Sequence, residues 1–130
     1  MLQLLADKLL SLFGDRRRVR VLVHRATFES NGQPAFFINV TNVSRNREVE
    51  ITHVYFDLGT RHVAALQPAR KLPRRLKSDE VWETWVFARE LPTELGDELY
   101  SLARVRLSTG SVVSSRQNRS VPERGAIPGG

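Results

Sequence analysis

FFINVTNVSRNREVEITHVYF, residues 36–56, reads as two β-strands joined by a polar turn, and the rest of the chain is ordered around it. Phe36, Ile38 and Val40 alternate with Phe37, Asn39 and Thr41. Successive strand side chains point to opposite faces, so one face of the first strand is aliphatic and the other mixed. Residues 42–47, NVSRNR, favour a turn, because Asn and Ser hydrogen-bond their own backbone and the two Arg keep the segment wet. Beyond it, Val49 and Ile51 share one parity while Val54, Phe56 and Leu58 share the other. A strand that keeps its apolar face across that slip needs an extra residue, so a bulge is expected near Thr52 and His53. A strand that crosses between sheets at a corner is the alternative.

Working upstream, residues 18–29, RVRVLVHRATFE, read as the first strand. Val19, Val21 and Val23 alternate with Arg18, Arg20 and Leu22, and then Ala26 and Phe28 take the opposite parity. That marks a second candidate for a bulge or a sheet crossing. Residues 30–34, SNGQP, form a strong turn signal, since Asn-Gly readily supplies positive φ. Residues 2–13, LQLLADKLLSLF, have helical spacing. Leu2, Leu5, Leu9 and Leu12 fall on one stripe, and Gly14 is a stop signal. So short a helix is marginal alone and must bury its stripe on its own domain, on another chain or on a membrane surface. Arg16, Arg17 and Arg18 follow directly and suit anionic headgroups.

Downstream, Gly59, Thr60 and Arg61 make a turn and residues 62–66 a short edge strand. Residues 67–79 form a basic, proline-bearing loop with a short extended piece at 72–76. Residues 81–88 and 99–108 read as strands, the latter with Ala103, Val105 and Leu107 inward. Residues 91–96 form a loop or one helical turn. The 108–111 turn closes a hairpin onto 112–115. The tail from Gln117, rich in Pro and Gly, lacks periodicity and is expected to be flexible. This gives an N-terminal amphipathic helix over 1–15, one β domain over 16–116 and a tail over 117–130. About seven short strands with turns between them point to an all-β, antiparallel sandwich, with a small barrel as second choice.

Three segments carry a resemblance. They are the Asn39–Ser44 run with its basic turn and the strand 49–52, the Leu-Pro-x-x-Leu-x-x-x-Glu stretch from Leu72 to Glu80, and the closing hairpin from Val105 to Val113. Together they resemble a pattern in small, largely uncharacterised bacterial immunoglobulin-like β-sandwich domains. The resemblance spans residues 18–116 and implies the fold without implying an activity. The Cys–Trp–Cys core of antibody domains is absent.

The chain has 130 residues and no cysteine, so it has neither a disulfide framework nor thiolate chemistry. No apolar run is long enough to cross a bilayer, and the N-terminus lacks the basic lead of a signal peptide. A cytoplasmic location is expected, with a peripheral membrane position for the helix as the variant. Net charge is +6. Residues 79–98 hold seven acids against Arg89, while the remainder is strongly basic. Such asymmetry invites an acidic partner or self-association.

No residue set rises to catalysis. His24, His53 and His62 show no metal-ligand spacing, no Ser sits in a nucleophile elbow, and no Gly-rich phosphate loop is present. Neither enzyme activity, nor a cofactor, nor a metal is expected. Three Asn-x-Ser/Thr sequons, beginning at Asn39, Asn42 and Asn118, are read as coincidence. Trp82 and Trp85, three apart, face opposite sides of a strand. One belongs in the core, and the other needs cover or serves as a contact hot spot beside Arg74 and Arg75. The expected function is a non-enzymatic protein-interaction or scaffold module. It self-associates through Leu2, Leu5, Leu9, Leu12, Trp82 and Trp85. The alternative is electrostatic binding of phosphates, on nucleic acid or an anionic membrane, through Arg16, Arg17, Arg18, Arg70, Arg74 and Arg75. No aromatic interrupts either basic run, which argues against single-stranded nucleic acid.

Overall fold

The structure, a computed structural model, describes residues 18–116. The N-terminal leucine stripe, Arg16, Arg17 and the tail lie outside the described residues. Eight strands are described: β1 (Val19–Thr27), β2 (Pro34–Asn42), β3 (Val49–Asp57), β4 (His62–Ala64), β5 (Arg74–Leu76), β6 (Val81–Phe87), β7 (Ala103–Leu107) and β8 (Val112–Ser114). All pairings are antiparallel. One sheet runs β1-β2-β6, and the other runs β4-β3-β7-β8 with β5 also on β3. The inward faces of both sheets meet in one apolar cluster that includes Val21, Ile38, Val40, Ile51, Phe56, Leu76, Val86 and Val105. Within β2 these are alternate residues, as period-two patterning requires, while Ile51 and Phe56 of β3 lie on opposite parities.

The β3 bulge falls where the parity changes. Ile51 pairs with Leu107 and His53 with Arg106, leaving Thr52 as the extra residue. Its Oγ1 donates to the Arg106 carbonyl at 3.2 Å. Val49, Ile51, Val54 and Phe56 thereby all reach the core.

The parity change in β1 has a different cause from the one expected. Its register with β2 is unbroken from Val19–Asn42 to Thr27–Pro34. The strand neither bulges nor changes sheet; Ala26 keeps the outward parity opposite Ala35, and Phe28 packs there against other aromatic rings. The 30–34 turn closes as expected. The Phe28 N–H donates to the Gln33 carbonyl at 3.0 Å, with Gly32 at φ +69°.

The strand expected from Leu99 begins four residues later. Residues 93–101 form 3-10 turns broken at Gly96, whose φ of 52° and ψ of −128° suit a residue without Cβ. This places Leu99 in the core and sets the Tyr100 ring edge-on to Phe36, with centroids 5.8 Å apart. The other expected edges hold to within two residues.

Asn42 ties the layers together. It is fully buried at the end of β2. Its Nδ2 donates to the carbonyls of Arg47 (2.7 Å) and Leu76 (3.0 Å), and its Oδ1 accepts from the Ser44 N–H (3.0 Å) and Oγ (2.6 Å). Ser78 Oγ closes the same knot on the Ser44 carbonyl. The 42–47 turn is thus held by a core side chain that joins the end of β2 in one sheet to β5 in the other.

Candidate interaction face

Pairing across β1, β2 and β6 sets outward-pointing residues in rows. His24 lies opposite Phe37 and Phe37 opposite Trp85, so three rings line up across three strands. The next row is Ala26, Ala35 and Phe87, and the row before is Leu22, Asn39 and Glu83. The His24 imidazole stacks on Phe37 at 5.3 Å and 9°. Phe28 then folds over the group, with centroids 5.4 Å from Phe37, 5.5 Å from Trp85 and 5.8 Å from Phe87. These are the offset and edge-on arrangements that ring quadrupoles favour. Leu22, Phe28, Phe37, Trp85 and Phe87 are half-buried, while His24 is exposed. Val81, at 58% relative accessibility, extends the apolar surface along β6.

The two tryptophans separate as the sequence implied. Trp82 is buried inward, and Trp85 lies on the outer face. The cover over Trp85 comes from Arg70, whose guanidinium sits 5.3 Å from the ring centroid. Arg74 and Arg75, the expected neighbours, are engaged elsewhere. Arg89 lies 4.6 Å over Phe87 and donates to Gln33 Oε1 at 3.2 Å. Both cations stand over ring faces, where the π-system attracts them. The Trp85 Nε1–H and Asn39 Oδ1, on the same face, are buried without a hydrogen-bond partner among the described residues. Such a group costs about 1–3 kcal/mol.

The outer edge of β6 is closed by side chains. Gln67 Nε2 donates to the Trp85 carbonyl and Arg70 Nε to the Glu83 carbonyl, each at 2.8 Å. A backbone bridge between Gln67 and Arg70 holds the two donors side by side. An open groove of about 720 Å³ lies between this loop and β6, lined in part by Lys71, Arg74, Trp82 and Glu83.

The second basic run is largely spent on internal contacts. Arg74 Nη2 meets Glu80 Oε2 at 2.6 Å, and Arg75 Nη1 lies 3.6 Å from Glu48 Oε1. Glu80 also accepts the Lys77 N–H at 2.9 Å. That backbone bond, followed by the Arg74 contact, holds the Glu80 carboxyl below its usual range. Arg18 is likewise engaged.

The histidines disperse. His24 lies 3.9 Å from Glu83; His62 stacks on Tyr55 at 4.5 Å and lies 3.6 Å from Asp57; His53 Nδ1 contacts Thr52 Oγ1 at 2.9 Å. His24 and His53 stand exposed on different sheets. Among the described residues no three His, Asp or Glu side chains gather as a metal site, and no helix is long and apolar enough to cross a membrane.

Sequence reasoning missed the outer aromatic cluster beyond Trp85. The signal was the even parity shared by Ala26 and Phe28 with Leu22 and His24, facing Phe37 across the hairpin. Comparison of the chain with protein-family models, curated proteins and solved structures finds no match.

Proposed function

We propose that this chain is a non-catalytic protein-interaction module of immunoglobulin-like sandwich architecture. In this reading it self-associates, with the outer face of the three-stranded sheet receiving the leucine stripe of residues 2–13 from a second copy. The observation that carries it is the row of exposed His24 and half-buried Phe37 and Trp85, with half-buried Phe28 and Phe87 beside it, an apolar surface on the outside of a sheet.

The dimensions support a helix as occupant. Seven residues of β6 span about 23 Å, and three strands span about 14 Å. A twelve-residue helix is about 18 Å long and 10 Å wide, so the face matches one such helix. The stripe needs cover, and each leucine brought out of water stabilises by about 1.5–3 kcal/mol. Reciprocal exchange doubles the buried area. That favours a dimer, because one small contact falls short of the roughly 1,200 Å² of a stable interface. The phosphate-binding alternative draws less support, since Arg70, Arg74 and Arg75 are held by a ring, a backbone carbonyl and two carboxylates.

Light scattering on the full chain, on a chain lacking residues 1–14 and on a Leu5→Asp, Leu9→Asp double variant provides the test. The full chain is expected at twice the monomer mass and both variants at monomer mass. Equal masses for all three refute the proposal, and a monomeric full chain whose Trp85 is shielded by residues 2–13 assigns the helix to its own sheet instead.

A further inference from the structure

One end of the β6 border carries unpaired backbone beside a cationic groove. The Asn42 N–H donates to the Glu80 carbonyl at 3.1 Å, so the even-numbered backbone groups along β6 face β2. The odd-numbered groups therefore face away from it. Arg70 Nε and Gln67 Nε2 agree with this, since they reach the Glu83 and Trp85 carbonyls from the far side. At the Val81 end of that border, the N–H and carbonyl of Val81 and the N–H of Glu83 have no partner among the described residues.

The groove of about 720 Å³ opens at the same place. Three cations, Arg70, Lys71 and Arg74, line it against one acid, Glu83. Lys71 is exposed and has no ion-pair partner among the described residues, whereas Arg74 shares its guanidinium with Glu80. Among the described residues the two exposed large apolar side chains are Val81 and Leu66. Val81 stands in this groove, and Leu66 in an adjoining hollow of about 430 Å³ that shares Arg70 and Lys71 with it. Unpaired backbone, exposed apolar side chains and an excess of positive charge thus meet at one short stretch.

We infer that this groove binds an extended acidic peptide of a partner protein, which adds to β6 as a short antiparallel strand centred on Val81. Main-chain bonds give such a strand its affinity, and its alternate side chains give specificity. The antiparallel direction is the more stable per residue. The peptide residue opposite Val81 exchanges two hydrogen bonds with it and points to the same face, where an apolar side chain covers Val81. The residue two earlier gives its carbonyl to the Glu83 N–H. Arg70 and Gln67 hold the carbonyls beyond, so the added strand ends there and the site is short. Lys71 and Arg74 select acids on either side of the apolar residue, because cations in those places are repelled. None of this depends on the leucine stripe or on the outer aromatic face.

Fluorescence anisotropy of the full chain with acetyl-Gly-Glu-Val-Glu-Gly, labelled at its C-terminus, tests this. Saturable binding is expected, weakening as salt rises. N-methylation of the probe's valine removes the hydrogen that meets the Val81 carbonyl and weakens binding by about tenfold. N-methylation of the glutamate that follows, whose nitrogen points away from β6, leaves binding intact. The same probe with lysine in place of both glutamates does not bind. Lys71→Glu, at an exposed side chain, weakens binding by about tenfold or more with an unchanged thermal midpoint. In an amide NMR titration the shifts centre on Val81 and Glu83. The inference is overturned by the absence of saturable binding, by equal loss from the two N-methylated probes, or by an unchanged affinity in Lys71→Glu. Shifts that centre on His24 and Phe37 overturn it as well, since they move the peptide to the outer aromatic face.

Discussion

Replacing Asn42 by Ala removes the side chain that joins the two sheets through the 42–47 turn. Four hydrogen bonds go with it: two donated, to the Arg47 and Leu76 carbonyls, and two accepted from Ser44. Each is worth about 0.5–1.5 kcal/mol net, and the buried Leu76 carbonyl has no water at hand to replace its partner. The expected loss is therefore about 2–4 kcal/mol, which lowers the thermal midpoint by about 10–25 °C for a body of this size. Urea unfolding followed by tryptophan fluorescence measures it, because Trp82 in the core reports the transition. Asn42→Asp is expected to be worse than Ala at neutral pH, since a carboxylate has no proton to give either carbonyl and adds a buried charge. Ser44→Ala, nearer the surface, costs only about 1 kcal/mol. An Asn42→Ala loss under about 0.5 kcal/mol, well below the net worth of its bonds, refutes the reasoning.

The remaining predictions concern other parts of the same sheet. Thr84 is fully buried and its Oγ1 has no partner among the described residues, so Thr84→Val is expected to gain about 1 kcal/mol in the same urea titration. Arg70→Ala uncovers the Trp85 ring and frees the Glu83 carbonyl, so acrylamide quenching of the outer tryptophan rises while the core signal from Trp82 is unchanged. Because the folded-state pKa of Glu80 is lowered, its contribution is present above the ordinary value near 4.5 and is lost as pH falls through the lower folded value. The thermal midpoint of Glu80→Gln is therefore expected to fall less than that of wild type on acidification through that window.

Much of this architecture could be read from alternation, and the misreadings share one cause. The Thr52 bulge was legible because Val49 and Ile51 on one side and Val54 and Phe56 on the other all had to reach one core. An identical parity change at Ala26 and Phe28 was misread because both lie on the outward face, where Phe28 joins a second apolar cluster. Alternation reports that a residue is apolar, not which of two faces is waiting for it. Asn42 follows Ile38 and Val40 on the inward parity, so its burial was in principle visible, yet its polarity drew attention to the turn. Leu99 was assigned to a strand because Gly96 gives no sign that short helical turns will flank it. The engagement of Arg74 and Arg75 depends on Glu80 and Glu48 across strands, information that a count of basic residues in sequence does not hold.

The side-chain donors of Gln67 and Arg70 bear on how copies of this molecule can be arranged. With its carbonyls at Glu83 and Trp85 already satisfied, the β6 border lacks two of the acceptors an incoming backbone would need. Head-to-tail growth needs two different docking borders, one on each flank, and this sheet weakens one of them. Were copies to associate through sheet borders, this one would therefore favour closed pairs over filaments, and replacing both donors by leucine would reopen it.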